Sequence, residues 1–240
     1  MLNATISWSG GKDSAFALYK ILSDDRYKVT GLHTLIDEGS RRVGLHGVRE
    51  EIIDFQAKSL GLPITKLYTS TDAGKSNYES VIRPFYEKCV SDSVGSVVFG
   101  DIFLDDLRAY REQLMDGLNI IPLFPLWKID SRKIYSDFVG AGFKAAICSA
   151  SAELFSEQQL GVTLESTTPR TFTKGIDVCG ENGEFHTLVY DGPIFKKPLM
   201  LRRGEVVKKW YEYRTKTAAG EIEMMKTLFL FQEFFLLNDS

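Results

Sequence analysis

Residues 9–14 read Ser9-Gly10-Gly11-Lys12-Asp13-Ser14, between a short β-type run, Ala4–Trp8, and a helical pattern, Asp13–Leu22, with Ala15, Leu18, Tyr19 and Leu22 on one face. Two adjacent glycines let the backbone turn sharply and approach a ligand with no Cβ in the way. The free N–H groups of the following helix start favour an anion. Ser9, Ser14 and Lys12 add hydroxyls and a positive charge suited to pyrophosphate oxygens. Asp13 would repel a phosphate unless a cation such as Mg²⁺ bridges the two. A plain Gly-Gly turn would need none of these polar neighbours. The loop is not a Walker A sequence, and Gly74-Lys75-Ser76 only imitates one, because position 69 holds Thr. Its simpler role is a polar turn with Ser76 or Asn77 capping a helix. No G-x-G-x-x-G occurs.

Outward from the loop, β-type runs alternate with helical patterns. Strands are expected at Lys28–Ile36, Ile64–Tyr68, Ser96–Phe99, Ile120–Leu123 and Ala145–Cys148. Helices are expected at Val48–Leu60, Tyr78–Ser91, Asp105–Leu118 and Ser131–Ala141. Such alternation predicts an α/β fold, a parallel sheet with helices on both faces. A boundary near Ser149–Ala152 would divide the chain into a nucleotide-binding domain, residues 1–150, and a smaller α+β domain, residues 151–240. In the latter, β-like runs at His186–Tyr190 and Val206–Tyr213 precede a helical stretch, Glu221–Leu237. That stretch is too short to span a bilayer and would pack on its own domain or on a second subunit, which leaves room for a homodimer.

The chain has 240 residues, enough for a sizeable core, and a formal charge of −3, which argues against nucleic acid held by bulk charge. Its three cysteines, Cys89, Cys148 and Cys179, form no CxxC pair, so neither a disulfide framework nor a cysteine-rich zinc site is indicated. The first residues lack a basic segment before an apolar run, and a cytoplasmic location is expected. Cys148, in Ala145–Cys148, reads as a core residue.

Two further clusters carry chemistry. Gly100-Asp101-Ile102 follows a predicted strand, so Asp101 would point into the same crevice as the loop, unless it only caps a helix. Arg108 and Arg111 share a helix face and could bind phosphate or carboxylate bidentately, or simply pair with Asp105 or Glu112. In Cys179-Gly180-Glu181-Asn182-Gly183-Glu184-Phe185-His186-Thr187, two carboxylates flank an Asn-Gly turn. If the turn closes a hairpin, Glu184 and His186 share one strand face and could position an amine or take its proton.

The Ser9–Ser14 hexapeptide resembles the PP-loop of the ATP pyrophosphatase superfamily, the adenine nucleotide alpha hydrolases. This implies that Ser9, Gly10, Gly11, Lys12, Asp13 and Ser14 hold ATP phosphates, and that His33-Thr34-Leu35 lines the adenine pocket. Together with Val43–Arg49, Gln56–Pro63, Gly100–Glu112, Pro122–Trp127 and Cys179–Pro193, the loop resembles the diphthine–ammonia ligase family within that superfamily. The family's reaction uses ATP to adenylate the carboxylate of diphthine, a modified histidine on elongation factor 2, and ammonia then displaces AMP. The resemblance implies catalytic Lys12, Asp13, Asp101, Glu181 and Glu184. It also implies nucleotide contact at Gly100, acceptor contacts at His46, Arg108, Arg111, Asn182 and His186, and Mg²⁺ at Asp13 and Asp101. Asn182 stands where many members have Gly, and Leu45–Arg49 looks more like bacterial relatives, for which another acceptor carboxylate would be expected. Two other readings remain at this stage: a tRNA-modifying PP-loop enzyme, and a non-catalytic module that binds adenine nucleotide. Cysteines without paired spacing weigh against sulfur transfer.

Overall fold

The computed structural model describes residues 1–70, 74–216 and 222–237, with the side chains of all but 74–77, 212–216 and 222–225. A first sheet is built from β1 (Leu2–Ser7), β2 (Tyr27–Asp37), β3 (Arg42–Val43), β4 (Val48–Arg49), β5 (Ile64–Thr69), β6 (Ser96–Val98) and β7 (Ile121–Leu123). The order is β4-β3-β2-β1-β6-β7, with β5 also on β2. The pairs β1–β2, β1–β6, β2–β5 and β6–β7 are parallel, whereas β3 and β4 make a small antiparallel hairpin on β2.

The helices are α1 (Lys12–Ile21), α2 (Glu50–Leu60), α3 (Gly74–Ser91), α4 (Asp105–Met115) and α5 (Ser131–Gly140). Alternate strand residues serve two separate cores. Ala4, Ile6, Leu32, Ile36 and Val98 pack with Ala15, Phe16 and Leu18 of α1, Ile52, Ile53 and Ala57 of α2, and Phe138 of α5. Val97, on the opposite face of β6, packs with Ile82 and Tyr86 of α3 and Leu114 and Met115 of α4. The period-2 alternation of a strand between two helix layers produces this division. α2 begins with Glu50 and Glu51, carries Lys58 in its last turn and stops at Gly61, φ +72°, so charge and C-cap agree with its direction.

The second sheet is antiparallel and ordered β10-β11-β8-β9, from β8 (Lys144–Ser151), β9 (Phe185–Asp191), β10 (Leu201–Lys216) and β11 (Ile222–Leu236). Its buried residues Ala145, Ile147, Leu188 and Val189 join the same core as α1 and α2, which therefore lie between the sheets. Two expectations change here. The strand read at Ala145–Cys148 does not extend the first sheet but pairs with β9 and β11 in the second. Glu221–Leu237 is not helical: from Ile222 it is a strand, paired with β10 from Leu201↔Leu236 to Lys216↔Ile222. Phe229, Leu230, Phe231 and Phe234 are all buried. A strand covered on both faces has a continuous apolar run, and such a run lacks the alternation that separates strand from helix. Among the described residues no helix is long and apolar enough to cross a membrane.

Candidate active site

The loop leaves β1 at Ser7 and enters α1 at Lys12. Gly10 has φ +80°, and a Cβ there would lie 2.8 Å from Gln56 Oε1. A Cβ on Gly11 would meet His46 Cε1 at 2.6 Å, and one on Gly100 would meet the Asp13 backbone at 2.7 Å. The three glycines thus permit protein to close on the loop from three sides. Within it, Ser9 Oγ lies 3.2 Å from Ser14 Oγ and accepts the Gly11 N–H at 3.3 Å.

A cavity of about 260 Å³ stands over the loop. Ser9, Lys12, Asp13 and Ser14 line one wall, Gly100, Asp101 and Arg111 a second, and Glu181, Gly183, His186 and Thr187 a third, with His46 beside them. All three sequence clusters therefore converge, and Asp101 faces the loop's crevice as its place after a strand required. Lys12 is buried and sits 2.8 Å from both oxygens of Asp13; its ammonium also donates to the Cys179 carbonyl. Burial works against that charge, but Asp13, Cys179 and Glu181 together outweigh it and hold the Lys12 pKa above its usual value. Burial raises the Asp13 pKa despite Lys12. Asp101 accepts two hydrogen bonds from Arg111, at 2.5 and 3.1 Å. Glu181 accepts the N–H of Ile102 at 2.7 Å, yet burial pushes its pKa up to about 7.

The rings of His46 and His186 lie 4.6 Å apart. Burial lowers the His46 pKa to about 4 and the His186 pKa well below its usual value, so both imidazoles are neutral near pH 7. Among the described residues the buried Nε2 of His186 has no partner. Glu184 lies elsewhere. Its carboxylate accepts the N–H of Asp177 and both the N–H and side-chain amide of Asn182, each at 3.0 Å, and so holds the turn together. That turn is not a strand hairpin: β9 begins at Phe185 and pairs with β8. Glu184 and exposed Asn182 border a neighbouring cavity of about 570 Å³, together with Asp37, Tyr211 and Phe229. Gly183 lines both cavities.

The remaining expectations divide. Thr34 and Leu35 border a third cavity, of about 490 Å³, which shares Ser7, Ser9, Leu107 and Arg111 with the loop cavity. His33 does not reach it. Paired with Ser7, the last residue of β1, it is covered by Phe85 at 4.7 Å, bonds Thr5 Oγ1, and burial drops its pKa to about 3. Arg111 enters the site, but Arg108 pairs with Glu112 at 2.8 Å and lies over Phe124 and Trp127. Cys148 is in the core as expected, and Cys179 is a buried thiol whose pKa burial raises to about 12. The side chains of Gly74-Lys75-Ser76 lie outside the described residues.

No three His, Cys, Asp or Glu side chains among the described residues gather as a metal-binding group. Mg²⁺ held against phosphates needs only one or two carboxylates, and Asp13 and Asp101 supply two on one cavity. Gln56 and Thr187 were not foreseen in roles at the site. Thr187 Oγ1 accepts the Lys12 N–H at 2.9 Å. Gln56 carried a signal: it is the polar member of the buried stripe Ile52, Ile53, Gln56, Ala57.

Comparison with known proteins identifies the family. The family model for the diphthamide synthase N-terminal domain matches residues 2–119, and that for its C-terminal domain matches residues 130–224. The human diphthine–ammonia ligase is 28% identical over 228 residues, covering 83% of this chain and 82% of the relative; the cattle protein gives the same figures. The Schizosaccharomyces pombe protein is 27% identical over 221 residues, covering 83% of this chain and 36% of its own. With both domains matched in order along most of its length, the chain belongs to the diphthamide synthase family, whose members are ATP-dependent amide-forming ligases.

Proposed function

We propose that this chain adenylates a carboxylate of the diphthine kind with ATP, releasing pyrophosphate, and that ammonia then displaces AMP to form the amide. The observation that supports this most directly is the meeting of two cavities at Gly183, one over Ser9–Ser14 and one bordered by Asn182, Glu184, Tyr211 and Phe229. An α-phosphate on the loop and a carboxylate entering from the second cavity would be neighbours there.

In this reading the third cavity, with Thr34 and Leu35, takes the adenine ring, and the loop takes the phosphates. A carboxylate oxygen attacks the α-phosphorus and the bond to pyrophosphate breaks. Lys12 and the N–H groups at the start of α1 stabilise the departing charge. Asp13 and Asp101 would hold Mg²⁺, which supplies neutralising charge to the phosphates when bound. Ammonia next forms the C–N bond as the bond to AMP breaks. Glu181, with its pKa near 7, is matched to accept the proton that the amine loses. The neutral His46–His186 pair offers an uncharged wall for ammonia. Residues 151–240 furnish most of the acceptor cavity. The raised thiol pKa values of Cys148 and Cys179 support this choice over sulfur transfer.

The test is stoichiometric. Elongation factor 2 bearing diphthine, ATP and ammonium should yield amide, AMP and pyrophosphate in equal amounts. ADP and phosphate instead would remove the adenylation step. Turnover with a different carboxylate but none with diphthine would reassign the acceptor.

A further inference from the structure

Gln56 is a fully buried amide on the inner face of α2, far in sequence from all three clusters that line the loop cavity. Its Oε1 accepts the Trp8 indole N–H at 2.9 Å, and its Nε2 donates to the carbonyls of Gly10 at 3.0 Å and Val189 at 2.7 Å. These partners fix the amide's orientation, because an indole N–H only donates and a carbonyl only accepts. The Gly10 carbonyl also accepts the Val189 N–H at 2.9 Å. One side chain thus joins the residue before the loop, the loop itself at its left-handed glycine, and the strand β9 that carries His186 and Thr187.

We infer that Gln56 is a positioning residue that holds the backbone of Ser9–Lys12 in its anion-binding shape and keeps it in register with β9. It touches neither the cavity nor any reacting group, and acts through Gly10 and Val189. An apolar residue of similar size would leave the Trp8 donor without its acceptor, take a donor from the Val189 carbonyl, and leave the Gly10 carbonyl with the Val189 N–H alone. A carboxylate would set negative charge against the same two carbonyl oxygens.

The experiment compares Gln56→Leu, Gln56→Glu and, as a packing control on the same helix, Ile52→Ala. Amide hydrogen exchange is read for residues 9–12 in the nucleotide-free protein, together with the melting temperature and the KM for ATP. Gln56→Leu should accelerate loop exchange and raise the ATP KM roughly tenfold or more, while Ile52→Ala lowers the melting temperature comparably but moves neither. In Gln56→Glu the ATP KM, relative to wild type, should worsen as pH rises, since only the protonated acid can donate to one of the carbonyls. Loop exchange in Gln56→Leu no faster than in Ile52→Ala would overturn the assignment. Only the KM readout rests on reading the loop as the ATP site. Should wild type bind no ATP, that reading fails alone, and loop exchange still decides the role of Gln56.

Discussion

The carboxylate of Glu181 accepts the backbone N–H of Ile102 at 2.7 Å, across 79 positions of sequence, and so links the turn before β9 to the connection between β6 and α4. Burial is the main reason that this carboxyl titrates near 7, with Asp13 and Asp101 adding to the effect. A group whose pKa is raised on folding keeps its proton in the native state while the unfolded chain loses it. Stability therefore falls as pH rises through the window from the ordinary carboxylate value to about 7. Glu181→Gln keeps the hydrogen-bond acceptor and removes the titration. Its melting temperature relative to wild type should be higher at pH 8 than at pH 5. Its amide-forming rate should fall about a hundredfold near pH 7 if the carboxylate accepts the amine proton. An unchanged rate would remove that role.

Lys12 gives the sharpest loss of function. Its ammonium is buried against Asp13 and the Cys179 carbonyl, so Lys12→Ala would leave both without their partner. Lys12→Met retains the packed stem and removes the charge. Pyrophosphate release should drop by a factor on the order of 10² to 10³, as for loss of one transition-state donor. Circular dichroism should still report a folded protein. Turnover like that of wild type would separate Lys12 from the chemistry.

Much of this site was legible because its signals are local. A glycine pair between strand and helix fixed the loop, and the position of Asp101 just after β6 fixed its direction. Other features depended on long-range packing. His33 and Thr34 are adjacent, and only the placement of α3, whose Phe85 and Tyr86 cover His33, decides that the first is core and the second lines a cavity. The run Leu228–Leu237 is apolar at both parities, so periodicity had nothing to choose between, and pairing with β10 and β8 decided the matter. Gln56 needed the fold to bring Gly10 and Val189 together.

The two arginines of α4 should differ sharply, although they stand three positions apart. Arg111 lies in the cavity and supplies both of the hydrogen bonds that its guanidinium makes to buried Asp101. Arg111→Ala leaves a buried carboxylate without its cation, and a loss of several kcal/mol is expected on that ground. AMP formation should be lost with it. Arg108→Ala breaks only a surface pair with Glu112 and a stack on Phe124 and Trp127, for an expected loss of about 1 kcal/mol or less. Steady-state kinetics and urea melts of both variants check this. Equal losses of activity would restore Arg108 to the substrate contacts.

Glu233 joins the two sheets at the edge of the site. Its carboxylate pairs with Arg42 and Arg49, both at 2.8 Å, and these flank the loop that presents His46. Burial opposes the charge, but the two guanidiniums prevail and hold the Glu233 pKa below its usual value. A carboxylate depressed on folding stabilises the native state above its unfolded pKa, and that contribution is lost as pH falls through the folded value. Glu233→Gln should therefore melt lower than wild type at pH 7, with the gap closing in acid. The β3–β4 hairpin is also held at Gly47, packed against Phe231, and at Leu45, whose carbonyl accepts from Ser149 Oγ, so loss of the clamp should loosen residues 42–49 before it unfolds the sheet. Hydrogen exchange across residues 42–49 at pH 7 measures this directly. Exchange there as slow as in wild type would show that the remaining contacts at Leu45, His46 and Gly47 suffice without the ion pairs.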